Sequence, residues 1–460
     1  MTNTHEQAMH HIYRQVLERL LEHMTQGQRA ALQLLIQRLV VSAGGIEYVG
    51  QFQLVVVHGT DRDSALLMAC LRAAQLSIAQ RAPATFRLRV LVTSLPASSA
   101  DSLKFHERCF STLFLQDDPR VELLMIEGHE VVPFNSRPVV SVRAWARPRE
   151  SLLLFGHLNG GRPDALFGSR LHLQLAQAFA HTLECHDGAL ALLTLIPERQ
   201  RRRYLAWCRR CLRLAGEPGL NASAVDIARL AEAIARLQGV AGAPFETSSG
   251  ATRQASGQSA FRVIGVDDLI RHEGPSEQLE RMLNTRFADA VSEAPLAAYF
   301  EIDALAQLRY VRARMLLRRR QGKSQPLGLN RHGAGPLALI SDHGRARVLP
   351  ILHLHQQQLI CLLYAPFADY GRRLLGFVEC FHPRMLVALP YLHRALRGDA
   401  CPEGVKQWLR EVSGLSLAQL KAVYARRVGQ PAMRLLANLA KRDLALRLLE
   451  KPVQRSEKSP

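Results

Sequence analysis

Residues 52–76 read FQLVVVHGTDRDSALLMACLRAAQL. An apolar, β-branched run stops at His58-Gly59, a polar loop follows, and helical spacing begins at Asp63 or Ser64. A strand feeding a helix through a short polar loop is half of a strand–helix–strand unit. The pattern recurs along the chain. Strand-like runs at 52–57, 86–92, 121–126 and 151–155 alternate with helix-like runs at 63–80, 100–114, 169–184 and 189–214. Short apolar runs separated by helices predict an α/β fold, a mostly parallel sheet flanked by helices.

Working outward, residues 6–42 predict two helices, with Thr25 as the N-cap of the second. The stretch 242–260, GAPFETSSGATRQASGQSA, is rich in Ser, Gly and Ala and has no apolar period, as a flexible linker would. Beyond it, 267–323 looks helical. Residues 336–364 read as three short strands with a turn at Asp342-His343-Gly344, a small antiparallel meander, and 384–449 returns to helix. The expected division is N-terminal helices at 1–45, an α/β domain at 46–241, the linker, a mainly helical α+β domain at 261–450 and a disordered tail at 451–460.

The 460 residues include 59 Lys and Arg against 40 Asp and Glu, a formal net charge of +19. Arginine dominates, since the lysines are only Lys104, Lys323, Lys406, Lys421, Lys441, Lys451 and Lys458. A planar guanidinium grips phosphate in two places, so this balance points to DNA or RNA as partner, with a protein partner as the other option. No stretch is apolar enough to span a membrane and no leader pattern opens the chain, so a cytoplasmic location is expected. Eight irregularly spaced cysteines do not form a disulfide framework.

The loop after the first strand invites three chemical readings. A phosphate-binding P-loop needs Gly-Lys-Ser/Thr, which is missing, and a dinucleotide fingerprint needs three spaced glycines where only Gly59 stands. The run LVVVHG suits an α/β-hydrolase, but the closest thing to a nucleophile elbow is GHLNGG at 156–161, with Leu158 where serine should be. Two readings remain: a helix cap from Thr60, Asp61, Asp63 or Ser64, or a ligand loop built from His58, Gly59, Asp61 and Asp63. His181, Cys185, Cys208 and Cys211 have spacings a zinc ion could use, and His353 and His355 share one strand face. For the cysteines a packed core is the simpler account, the histidine pair has no evident third ligand, and no metal or other cofactor is expected.

The helix-like run at 199–215 is the strongest signal. Arg199, Arg202, Arg203, Arg209, Arg210 and Arg213 fall within a sector of roughly 120°, opposite Tyr204, Leu205, Cys208 and Leu212. A solvated face normally mixes signs, so a face of guanidinium groups suggests a polyanion. The arginines of 309–323 surround their helix instead of forming a stripe.

Near the C-terminal end, Gly414, Ser416, Leu420, Tyr424 and Gly429 stand at spacings that resemble the first helix-turn-helix of AraC-type regulators, over 413–450 only. The resemblance implies that Ser416 caps a recognition helix, that Gly429 ends it, and that Gln419, Lys421, Arg426 and Arg427 face the major groove. The sequence thus favours a nucleic-acid-binding, regulatory protein that uses arginine-rich helices, with no intact catalytic motif. The alternatives are an enzyme or bacterial effector with its site at the carboxyl edge of the first sheet, or a degenerate α/β scaffold acting in protein assembly.

Overall fold

In the computed structural model, residues 2–94, 100–127, 130–137, 142–163, 190–199, 201–202, 206, 209–210, 213, 262–271, 276–284, 286, 302–320, 354–426 and 433–434 are described. Among the described residues six strands form one mixed sheet: β1 (Gln53–Val57), β2 (Arg87–Ser94), β3 (Val121–Glu127), β4 (Glu130–Pro133), β5 (Leu190–Thr194) and β6 (Arg262–Gly265). Their order is β4-β3-β2-β1-β5-β6. Every pairing is parallel except β3 with β4, a hairpin in register Leu124↔Pro133 to Glu127↔Glu130. The five parallel strands therefore run outward from β1 in both directions, as in a doubly wound sheet.

One face of the sheet, with Leu54, Val56, Leu88, Val90, Val92, Met125, Ala191, Leu193 and Ile264, lies in the larger core cluster. It is covered by α3 (Arg62–Ala79), which is buried without interruption from Ser64 to Ile78. That is the condition of a helix enclosed on all sides. Its second covering layer is α1 (Thr2–His23), α2 (Gln26–Ala43) and α6 (Ser276–Leu283), all packed on α3. The opposite face buries Val55, Leu91, Ile126 and Leu192. The helix α4 (Ala100–Thr112) adds Phe105, Cys109 and Phe110 to the larger cluster.

A second apolar cluster joins α5 (Val142–Leu158), α7 (Ile302–Arg320), α8 (Gln356–Tyr364), α9 (Leu374–Phe381), α10 (Leu389–Arg397), α11 (Glu403–Ser413) and α12 (Leu417–Ala425).

Thr25 caps α2 as its sequence predicts, accepting the Gln28 N–H at 3.1 Å. Three expectations are corrected. Residues 151–155 are not a strand but the middle of α5, because Leu152, Leu153, Leu154 and Phe155 are all buried within a 17-residue helix. Residues 190–194, read as the start of a helix, are β5. Continuous apolar runs of this length carry no period by which helix and strand can be told apart. Residues 356–364, read as part of a meander, are α8, and 336–353 lie outside the described residues. The strand β6, from beyond the expected linker, pairs with β5, and α1 and α2 pack on the sheet's covering helix. The proposed linker and tail lie outside the described residues.

The end of α5 shows how closely its cluster is packed. Gly160 and Gly161 both have positive φ, +68° and +70°. A Cβ on Gly161 would lie 2.4 Å from the carbonyl oxygens of Leu362 and Leu363 on α8, whereas one on Gly160 would meet nothing. Gly161→Ala is therefore expected to destabilise the fold by about 2–4 kcal/mol, from left-handed strain plus the collision. Gly160→Ala carries only the strain, about 1–2 kcal/mol. Urea midpoints of the two variants check this, and equal losses would contradict the contact.

Candidate nucleic-acid interface

A doubly wound sheet binds ligands outside the carboxyl ends of its strands, where the order reverses. Here that point lies between β1 and β5, flanked by the loop His58–Asp61 and by the segment that follows Thr194.

The β1 side is filled. Asp61, 2% exposed, is the N-cap of α3: its carboxylate accepts the Ser64 N–H at 2.8 Å and the Ser64 hydroxyl at 2.7 Å. Burial pushes its pKa up, and these hydrogen bonds counter that. A Cβ on Gly59 would lie 2.5 Å from the Asp61 carboxylate, so glycine is what lets the chain pass. His58, 1% exposed, lies 2.7 Å from His106 of α4, Nδ1 to Nδ1, so one ring donates its Nδ1–H to the other's bare Nδ1. Phe105 and Phe110 pack around this pair. Burial drives the pKa of His58 well down and that of His106 to about 3, so both rings are neutral. Asp63, in the first turn of α3, is half-buried. Of the two readings of this loop, the geometry is that of a cap and a packed aromatic cluster.

The β5 side is different. Thr194 Oγ1 accepts the Ile196 N–H at 3.1 Å, and the Arg201 N–H donates to the Pro197 carbonyl at 3.0 Å, which opens a helical turn right after the strand. Proline just before a helix and an acid in its first turn, here Pro197 and Glu198, are ordinary starting signals. Helical positions follow at 198–199, 201–202, 206, 209–210 and 213. Arg199, Arg202, Arg210 and Arg213 are exposed and Arg209 is half-exposed; Arg203 lies outside the described residues. Glu198, Arg199, Arg202 and Ala206 line a groove. Among the described residues, the one carboxylate paired with this stripe is Glu198, four residues before Arg202.

Arg201, which the helical sector leaves out, lies on the inner side of the same turn. Its guanidinium rests against Gly265 at the end of β6, where a Cβ would come within 2.5 Å of Nη1. From the other side Arg38 donates to the Gly265 carbonyl at 2.6 Å and pairs with Asp268 at 2.7 Å. Only an arginine next to a strand-end glycine could have hinted at this, and the two are far apart in sequence.

The residues singled out near the C-terminal end sit on a helical hairpin. The helix α11 ends at Gly414 with φ +71°, and Ser416 caps α12 by accepting the Gln419 N–H at 3.3 Å. Leu420 and Tyr424 are buried. Gln419 is buried too: its side chain accepts the Ser416 N–H at 2.9 Å and donates to Glu150 of α5, so it faces the protein. Lys421 is half-buried, with its ammonium beside Gly398. The helix stops at Ala425, not at Gly429, because Arg426 itself takes the left-handed conformation, φ +51°, and pairs with Asp369. Arg427 lies outside the described residues. No ion pair or hydrogen bond among the described residues joins this hairpin to the arginine stripe after β5.

Of the candidate metal ligands, His181, Cys185, Cys208, Cys211 and His353 lie outside the described residues, or have side chains that do. His355 is the N-cap residue of α8, its backbone N–H donating to Gln358. Among the described residues no three His, Cys, Asp or Glu side chains gather as a metal site would require. No described helix is long and apolar enough to cross a membrane. The fold defines the class: a mixed, mostly parallel α/β sheet with an arginine-faced helix at its point of strand reversal. Compared with protein families, curated proteins and solved structures, the chain matches none.

Proposed function

We propose that this is a polyanion-binding protein whose ligand is nucleic acid, held by the arginine stripe that follows β5. The single observation that carries the reading is position: exposed Arg199, Arg202, Arg210 and Arg213 sit on the helix leaving the sheet where α/β proteins receive ligands. On the other side of that point, His58 and Asp61 are closed off by packing, which argues against an enzyme working through them. The net charge of +19 supports the same partner through long-range attraction. Guanidinium groups on one helical face bind phosphates without reading bases, so the expected affinity depends strongly on salt and weakly on sequence. The two apolar clusters fit a division into an α/β lobe and a mainly helical lobe, with α5 belonging to the second.

Filter binding of a mixed-sequence DNA duplex across a salt series tests the proposal. The log–log slope is expected to flatten by about 3–4 in the variant R199Q/R202Q/R210Q/R213Q, with about 0.9 of slope lost per phosphate contact. Absence of binding by the parent chain at low salt, or a slope unchanged in the variant, would refute it.

A further inference from the structure

Between Glu379 and Asp399 the chain has no acidic residue: CFHPRMLVALPYLHRALRG, 380–398. The segment folds as a 3-10 turn, Pro383–Ala388, followed directly by α10. Its inner face is secured, since Leu392, Ala395 and Leu396 belong to the second apolar cluster. Its outer face has two components that do not usually occur together. Leu386, Val387 and Tyr391 are 38%, 86% and 43% exposed. Around them Arg384, Arg394 and Arg397 are exposed, and none of the three pairs with a carboxylate among the described residues. Lys421 adds its ammonium beside Gly398, at the end of α10.

Exposed arginines alone would suit any polyanion, but the aliphatic groups narrow the choice. A phosphodiester backbone gives Val387 and Leu386 nothing to bury against, and a base stack would engage only Tyr391. An anionic bilayer surface accommodates all of them: aliphatic and aromatic side chains enter the headgroup region while the guanidinium rim stays among the phosphates. The helix lies along the surface of its own cluster, so its outer face can meet a plane without unfolding. We propose that Pro383–Ala388 and α10 form a docking face for a membrane surface rich in anionic lipid. This partner and this face are separate from those assigned to the stripe after β5.

The test is co-sedimentation of the full chain with phosphatidylcholine vesicles, with and without phosphatidylserine. The chain is expected to pellet only with the anionic vesicles. R384Q/R394Q/R397Q should lower partitioning about a hundred-fold, at roughly five-fold per charge. V387S/Y391S should lower it about ten-fold through lost apolar burial while leaving duplex-DNA retention unchanged. All five positions are exposed, and circular dichroism confirms that the variants fold. The proposal is overturned if the parent chain stays in the supernatant, if it pellets equally with neutral vesicles, or if V387S/Y391S pellets like the parent. It is also overturned if V387S/Y391S loses DNA instead of vesicles, because the face would then serve nucleic acid. R199Q/R202Q/R210Q/R213Q is expected to keep vesicle binding, so the two proposals can fail independently.

Discussion

Asp118→Ala is expected to destabilise the chain by about 3–5 kcal/mol, among the largest losses any single substitution here would produce. Asp118 and Arg72 have fully buried side chains and meet at 2.7 Å. Arg72 also donates to the carbonyls of Leu113 and Phe114, both at 3.0 Å, and to the Gln75 side chain at 2.7 Å. Asp118 takes three further bonds from Arg120: backbone N–H at 2.9 Å, Nε at 2.8 Å and Nη2 at 2.6 Å. Burial alone would raise the pKa of Asp118, but the hydrogen bonds from Arg120 and Arg72 hold it down at about 2. Both guanidinium groups lie over the ring of Tyr13, 4.9 and 5.1 Å from its centre, which fastens α1 to α3 and to the turn before β3. Removing the carboxylate leaves the Arg72 cation buried without its counter-charge. Urea unfolding of D118A measures the loss, and the double variant R72M/D118L should recover much of it, because neither charge then remains to be solvated. A loss below about 1 kcal/mol in D118A would mean that the network contributes little.

The second large effect is acid sensitivity above the carboxylate range. His58, His106 and His157 are all buried, and burial lowers each pKa, to about 3 for His106 and His157. A histidine whose folded pKa is depressed contributes fully above its unfolded value of about 6.5. That contribution is lost progressively as pH falls from there toward the folded value, because the unfolded chain takes up the proton first. At pH 5 the loss is about 2 kcal/mol for each of His106 and His157. His58 acts in the same direction. Asp118 adds nothing in this window, since its own loss begins below about pH 4. Urea midpoints at pH 7.5 and 5 read the effect. His157 has no hydrogen-bond partner on either ring nitrogen among the described residues. Its replacement by leucine should therefore cost little at pH 7.5 and flatten the pH dependence. A stability unchanged between the two pH values would exclude buried neutral imidazoles as its source.

The sequence shows the centre of the fold clearly and its edges poorly. The run from Phe52 to Leu76 passes from a β-branched apolar stretch through a polar loop to helical spacing, and becomes β1 and α3. The strands β2 and β3 follow from the same logic. Where a run is apolar at every position, as at 151–155 and 190–194, no period exists, and tertiary partners decide: α8 and its neighbours make the first a helix, and β1 makes the second a strand. The edge strands β4 and β6 are four residues each, too short to stand out. The arginine stripe was legible because like charge at helical spacing is rare. The placement of Arg201 on Gly265 and the closure of His58 by His106 were not, since both depend on residues brought together only by the sheet.

The membership of α5 in the second apolar cluster has a consequence during synthesis. Leu152, Leu153 and Leu154 leave the ribosome long before α8 and α12, the helices of their cluster that pack on α5. At about 5–20 residues per second, the roughly 200 intervening residues take on the order of 10–40 s to emerge. For that interval a bare leucine triplet hangs from a nascent chain whose first three strands are already available to pair. A holdase would have something to grip there, and release would await the far end of the message.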